Sequence, residues 1–264
     1  MLTLVLLLCA AGGVLVAQWS NQPDPGTPRT RDGKPILTAP APRANGKPDL
    51  SGIWEVEGSP LKVSALLGED DFSKYFINVL ADFKSGEEPL QPSAPALSAQ
   101  LGLQAREQLP RVCGPPSLPA ADLAPSPFKI IQTPGLFLML YENYMTFRQI
   151  YMDGRKPPVD PQPSFLGYSV GKWEGDVMVV ETTGLNDLRQ LDTAGHFHSE
   201  DLRVTERFHR LDFGHMEGQI VLDDPKMFTR PISMKVDFHL LPDADIIENF
   251  CTENERDARH MQRR

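Results

Sequence analysis

From Phe128 onward the chain runs in short stretches in which apolar and polar residues alternate, and each stretch stops at a cluster of Gly, Pro, Asn or Asp. A period of two bounded by turn residues is the signature of antiparallel strands. The pattern predicts strands over 128–133, 136–142, 145–152, 165–171, 176–183, 201–210, 215–222, 231–241 and 245–251, with another beginning at Trp54 in "DLSGIWEVEG". Exposed sheet edges invite aggregation and closure removes them. The expected fold is therefore mainly β: an antiparallel meander forming a lipocalin-like up-and-down barrel or a strongly curved sheet, with a short helical N-terminal segment.

Ahead of the strands the texture changes. In "DDFSKYFINVLADFKSG" (70–86), Phe72, Tyr75, Phe76, Val79, Leu80 and Phe83 fall at helical spacing behind acidic residues, which predicts a helix. A second helix is predicted over "LSAQLGLQAREQ", and residues 61–112 as a whole read as a helical and irregular insertion in a domain spanning 50–256. Residues 18–49, rich in proline, glycine and charge, read as a linker, and 257–264 as a tail. At 264 residues the chain can bury one substantial core.

The first 17 residues are apolar and end in small residues, a pattern expected of an export signal cleaved after Ala17. The apolar run is shorter than the roughly 20 residues a spanning helix needs, so no membrane association is expected after cleavage. A periplasmic or secreted protein would pair its two remaining cysteines, Cys113 with Cys251. A loop that long would contribute about 4–5 kcal/mol in the chain-entropy picture. The formal net charge of −9 argues against nucleic acid as a partner, since phosphate contacts need clustered Lys and Arg.

Two resemblances extend this reading. "SGIW" resembles the Gly-x-Trp opening of lipocalins, which implies a calyx for a small apolar ligand. "NGKPDLSGIW", "GYSVGKWEGDVMVVETTGLND", "GHFHSEDLRVTERFHRLDFGHME" and "DDPKMFTRP" are similar to an uncharacterised family of exported bacterial proteins over most of 45–256. That likeness implies export and brings no activity with it.

Meander connections alternate between the two ends of a sheet. On that basis "YEN" (141–143), "GKWEGD" (171–176), "LDFGH" (211–215) and "LPDAD" (241–245) are expected at one end. "TPG" (133–135), "DGRKPPVDPQPS" (153–164), "GLNDLRQLDTAGHFHSE" (184–200) and "DDPKMFTR" (223–230) are expected at the other. Long polar loops gathered on a rigid scaffold are where binding and catalysis concentrate. The 184–200 loop holds His196 and His198. An imidazole works as acid or base near neutral pH, with Asp192 or Glu200 to orient it. A divalent metal on His196, His198 and Glu200 is the alternative, and loop capping is the bland one. His215 belongs at the far end of a strand about 30 Å long and cannot join them. Asp153, Asp160, Asp187, Asp223 and Asp224 are the other carboxylates expected near the pair.

Along 201–210, Leu202, Val204, Glu206 and Phe208 share one face. Glu206 therefore points into an apolar lumen, either as a second acid with a raised pKa or as half of an ion pair with Arg148 or Arg230. The last expected strand puts Glu248 in the same kind of position. Glu181, Asp187, Arg189 and Arg155 are candidates to line the mouth, arginine being suited to grip a carboxylate or phenolate. There is no G-x-S-x-G elbow, phosphate-binding glycine loop or dinucleotide fingerprint. The chemistry expected is cofactor-free proton transfer on a small organic molecule, by a lyase or isomerase. Ligand carriage without chemistry and metal-dependent hydrolysis or elimination are the alternatives.

Overall fold

Trp54, fully buried, stands in the strand that closes a nine-stranded barrel. The structure is a computed structural model and describes residues 23–57, 77–109 and 114–249. In chain order its elements are a two-residue hairpin, β1 (Arg43–Ala44) and β2 (Lys47–Pro48), then β3 (Gly52–Val56), α1 (Ala94–Gln108) and α2 (Ala120–Leu123). The remaining strands are β4 (Phe128–Gln132), β5 (Leu136–Tyr141), β6 (Thr146–Tyr151), β7 (Tyr168–Glu174), β8 (Val177–Thr183), β9 (Arg203–Arg210), β10 (His215–Asp223) and β11 (Ile232–Leu240). Around the wall the order is β10-β11-β3-β4-β5-β6-β7-β8-β9, and β9 pairs with β10 to close it.

All neighbours are antiparallel except β6 and β7, which run parallel through Ile150↔Ser169 and Tyr151↔Val170. This one pair breaks the simple alternation of loops. The 184–202 and 224–231 loops do share one end, and 175–176, 211–214 and the exit of β11 share the other, so His215 lies opposite His196 and His198 as expected. The 142–145 turn, however, joins the histidine end and 133–135 the far end. The 152–167 connection runs from the far end back to the histidine end. There Ser164 bridges Leu185, and its amide donates to the Gly184 carbonyl.

Residues 245–249 form no strand, contrary to expectation, and Glu248 is exposed. The place beside β11 is already taken by β3, through Phe238↔Val56 and Leu240↔Trp54. Residues 23–49 are not a loose linker but a strap across the far end. The Ala39 and Leu37 carbonyls accept the Phe213 and Gly214 amides, and Arg29 pairs with Asp243. Beneath the strap Arg210 lies over Trp54 (4.9 Å) and Phe213 (5.3 Å) and donates to the carbonyls of Asp49, Ser51, Asp212 and Phe213. Burial pulls its pKa down to about 10, although Asp49 and Asp212 act in the opposite sense.

α1 forms where expected, starting at Ala94 with a proline in its first turn. The helix expected over 70–86 is absent from its described part, where 77–86 make turns. Its main-chain amides find partners elsewhere: Val79 N donates to Asp192 Oδ2 (2.8 Å) and Ile77 N to Thr193 Oγ1 (2.7 Å). Apolar burial of Ile77, Val79 and Leu80 is kept, but against the histidine loop rather than along a helix face.

The lumen is filled. Phe128, Phe208 and Phe238 meet ring to ring, Phe238 lying 5.6 Å from Phe128 and 6.1 Å from Phe208, and Phe128 lies 5.9 Å from Tyr141. α2 stoppers the histidine end, its Asp122 reaching Tyr141 at the end of β5. Gly218, inward on β10, shows how little room remains: a Cβ there would stand 2.8 Å from both Phe238 Cε2 and Val236 Cγ1. Gly218→Ala is accordingly expected to destabilise by about 1–3 kcal/mol, the usual range for overpacking. Denaturant unfolding measures it, and a neutral substitution would mean that the lumen is a hollow calyx.

Candidate functional site

The 184–202 loop is folded around Asp192, whose side chain is wholly buried. Asp192 Oδ1 accepts the amides of Gly195 and His196, both at 3.0 Å, while Oδ2 accepts Val79 N and faces His196 Nδ1 at 2.6 Å. Because a carboxylate oxygen only accepts, Nδ1 carries the proton and Nε2 of a neutral ring presents its lone pair. The His196 side chain is 31 % exposed and Nε2 has no hydrogen-bond partner among the described residues. Asp192 orients His196 as expected, and it also ties the loop to residues 77–80.

His198, two residues on, is 0 % exposed. Its Nδ1 donates to the Ser199 carbonyl (2.9 Å), which leaves Nε2 as acceptor for the Ser117 hydroxyl (3.3 Å). Burial pushes its pKa down, so it stays neutral, in spite of opposing contributions from the Ser199 carbonyl, Asp224 and Asp187. His198 thus binds the loop to the residues preceding α2 and is closed to substrate. Asp224 acts as a second buried clasp, accepting Ser199 N (2.6 Å), Ser199 Oγ (2.8 Å), Lys226 N (3.1 Å) and Met227 N (3.3 Å).

Glu206 does face the lumen, but it belongs to a saturated network. Arg148, inward on β6, donates Nη1 to Glu206 Oε1 (3.0 Å) and Nη2 to Glu206 Oε2. The same guanidinium reaches Ser169 Oγ (2.9 Å), Thr182 Oγ1 (2.7 Å) and Asp122 Oδ2 (3.5 Å). Tyr141 donates its hydroxyl to Asp122 Oδ1 (2.6 Å), and Ser169 and Thr182 share a bond of 2.9 Å. Two carboxyl groups thus share one cation. Burial, followed by the charge of Glu206, raises the Asp122 carboxyl well above the usual carboxylate range. Burial works against the Arg148 charge, but Glu206 and Asp122 outweigh it and hold the pKa up. No histidine touches this network.

The other candidates scatter. Glu181 is exposed on the outer face of β8, with Glu200, Asp160 and Asp223 along a cleft beside the proline-rich 156–163 segment. Arg155 folds back on Asp153 (2.5 Å) and over Tyr151 (3.9 Å), and donates to the Tyr168 hydroxyl (3.2 Å) at the start of β7. Asp187 is half-buried within the loop, and Arg189 lines a pocket beside α1. His196, His198 and Glu200 do not converge: among the described residues no three His, Cys, Asp or Glu groups are placed to hold a metal ion. The Cys113–Cys251 pairing and the export segment lie outside the described residues. No helix among the described residues is long and apolar enough to cross a membrane.

Asp122 and Arg210 are the buried charged residues that sequence reasoning passed over. Carrying the inward alternation of β9 one step past Phe208 would have found Arg210. Asp122, in the proline-rich stretch before Phe128, gives no periodic signal. A copy of the histidine clasp at the far end, His215 Nδ1 to Asp212 Oδ1 at 2.7 Å, shows the same local turn in a more exposed form. Together these features define a closed β-barrel protein whose lumen is a packed core and whose accessible polar groups sit in the loops of one end. No protein-family profile and no curated protein matches the chain.

Two predictions follow from the lumen network. Arg148→Met leaves Glu206 buried without a cation and should cost about 3–5 kcal/mol, while Arg148→Met with Glu206→Leu should recover most of it. Equal loss in both variants, read by denaturant titration, would contradict a charge-pairing role. Asp122 binds its proton more tightly folded than unfolded. Between its unfolded value of about 3.9 and its raised folded value the native state therefore holds more protons, and stability falls as pH rises. Asp122→Asn removes that slope, so its stability relative to the parent should rise with pH from about pH 4 until the folded Asp122 carboxyl ionises. Parallel pH profiles would rule the raised carboxyl out.

Proposed function

We propose that the chain is an exported small-molecule enzyme in which His196 moves a proton and Asp192 sets its ring. Elimination, hydration, isomerisation or cyclisation are the reactions this equipment serves without an organic cofactor. One observation carries the reading: a third-exposed imidazole offers an unpartnered Nε2 while its Nδ1 is held at 2.6 Å by a fully buried carboxylate. A base must be oriented and accessible at once, and among the loop's two histidines His196 meets both conditions. The earlier roles of His198 and Glu206 drop out, the first because it is sealed and the second because Arg148 saturates it. Export rests on the apolar first 17 residues and on the resemblance to exported proteins.

A second reading, carriage of a ligand without chemistry, is favoured by the pairing of Glu206 with Arg148 away from the histidine loop. The lumen has no room for cargo, so a carrier would hold it outside the barrel.

The two readings separate in D2O. The purified chain is incubated with a panel of small molecules bearing protons next to a carbonyl, and exchange of those protons for deuterium is followed by NMR. An enzyme of this kind exchanges at least one of them, His196→Gln abolishes the exchange, and His215→Gln, which breaks only the far-end copy of the clasp, leaves it intact. Exchange that survives in His196→Gln would sink the assignment.

A further inference from the structure

Arg189 lies in the same loop but takes part in neither clasp. Its Nε and Nη2 are buried and have no hydrogen-bond partner among the described residues. The other arginines with buried guanidinium groups are saturated, Arg148 by carboxylates and Arg210 by main-chain carbonyls. The guanidinium of Arg189 is held between Phe165, 5.7 Å from the ring centre, and Gly114, where a Cβ would fall 1.2 Å from Nη2. Leaving buried N–H donors and a cation unpaired is costly, and a partially desolvated guanidinium without a counter-ion is a site in waiting for one. Burial indeed lowers its pKa, with no carboxylate opposing.

Arg189 lines a cavity of about 500 Å³ between α1 and the loop, with Nη1 as the guanidinium nitrogen that is not enclosed. Arg106 and Gln190 are its other long polar side chains, Leu109, Leu188 and Phe197 form apolar wall, and among the described residues no acidic one lines it. We propose that this pocket binds a small organic acid, one carboxylate gripped by Arg189 with Arg106 at the rim and an apolar body against Leu109, Leu188 and Phe197. A charged N–H donor such as Nη1 suits a carboxylate. The pocket sits at the C-terminal turn of α1, whose carbonyl ends disfavour a dianion, so a monocarboxylate suits it better than a phosphate.

This site is separate from His196. Gln190 and Phe197 form an antiparallel bridge and both line the pocket, while the next pair inward, Leu191 and His196, projects to the opposite face. Binding of the acid therefore does not rest on the proton-transfer reading.

The probes are hexanoate and benzoate, with hexanol, benzyl alcohol and inorganic phosphate as controls, titrated into the full chain and followed by calorimetry and NMR. Saturable one-to-one binding of the carboxylates is expected, with the alcohols and phosphate much weaker. Arg189→Met should lose roughly tenfold to a hundredfold in affinity, the scale of a charged hydrogen-bonded pair. Arg106→Ala, at an exposed position that leaves folding intact, should lose severalfold, and His196→Ala should bind as the parent does. Absence of saturable carboxylate binding, phosphate binding as tight as benzoate, or unchanged affinity in Arg189→Met or in Arg106→Ala would each overturn the proposal.

Discussion

One guanidinium holds the barrel together where its backbone ladder is shortest. Nine strands cannot close with every neighbour antiparallel, so one parallel pair is obligatory, and here it is β6 with β7, joined through two register pairs where β9 and β10 share eight. Arg148 leaves β6 at that seam and bonds to Ser169 on β7, Thr182 on β8 and Glu206 on β9. It stitches from inside what main-chain bonds join only briefly. A buried ion pair is weak evidence for stability as such, but its geometry specifies which strands meet.

The seam also organises the ends. Because β6 and β7 point the same way, a tight hairpin cannot join them, and the proline-rich 152–167 connection carries the chain from the end of β6 back to the start of β7. Its return brings Ser164 against Leu185 and so braces the base of the histidine loop. From the other side, residues 77–80 brace the same loop through Asp192. The loop is thus rigid by virtue of two buried carboxylates, Asp192 and Asp224, and what they leave outside is the edge of His196 and the fork of Arg189. Three arginines show how environment decides role. Carboxylates consume Arg148, main-chain carbonyls consume Arg210, and Arg189 is left with donors to spare.

Alternation made the barrel legible: β4 to β11 lie within a few residues of their expected bounds, and the apolar face of β9 put Glu206 in the lumen with Arg148 among its two named partners. The parallel pair was not legible, because strand sequences do not say which neighbour they take. That single unknown misplaced the 133–135 and 142–145 turns. Over 77–86 the periodicity misled because Val79 and Leu80 are buried against a loop, and burial at helical spacing does not require a helix. The histidine pair was visible as composition, yet which ring is open depends on Ser117 and Val79, residues far away in the chain.

The strap end and the crossover have one more meaning when taken together. Walking the wall from β7 through β11, on to β3 and then to β6, each step but one is an antiparallel connection of neighbours in sequence; the exception is β11 to β3, where the two ends of the described chain lie side by side, Asp24 N donating to Pro242 O. Join those ends, sever 152–167, and the molecule becomes an uninterrupted meander whose first and last strands meet at the seam. The barrel is a plain meander in circularly permuted form. Its parallel pair marks where the unpermuted chain would begin and end.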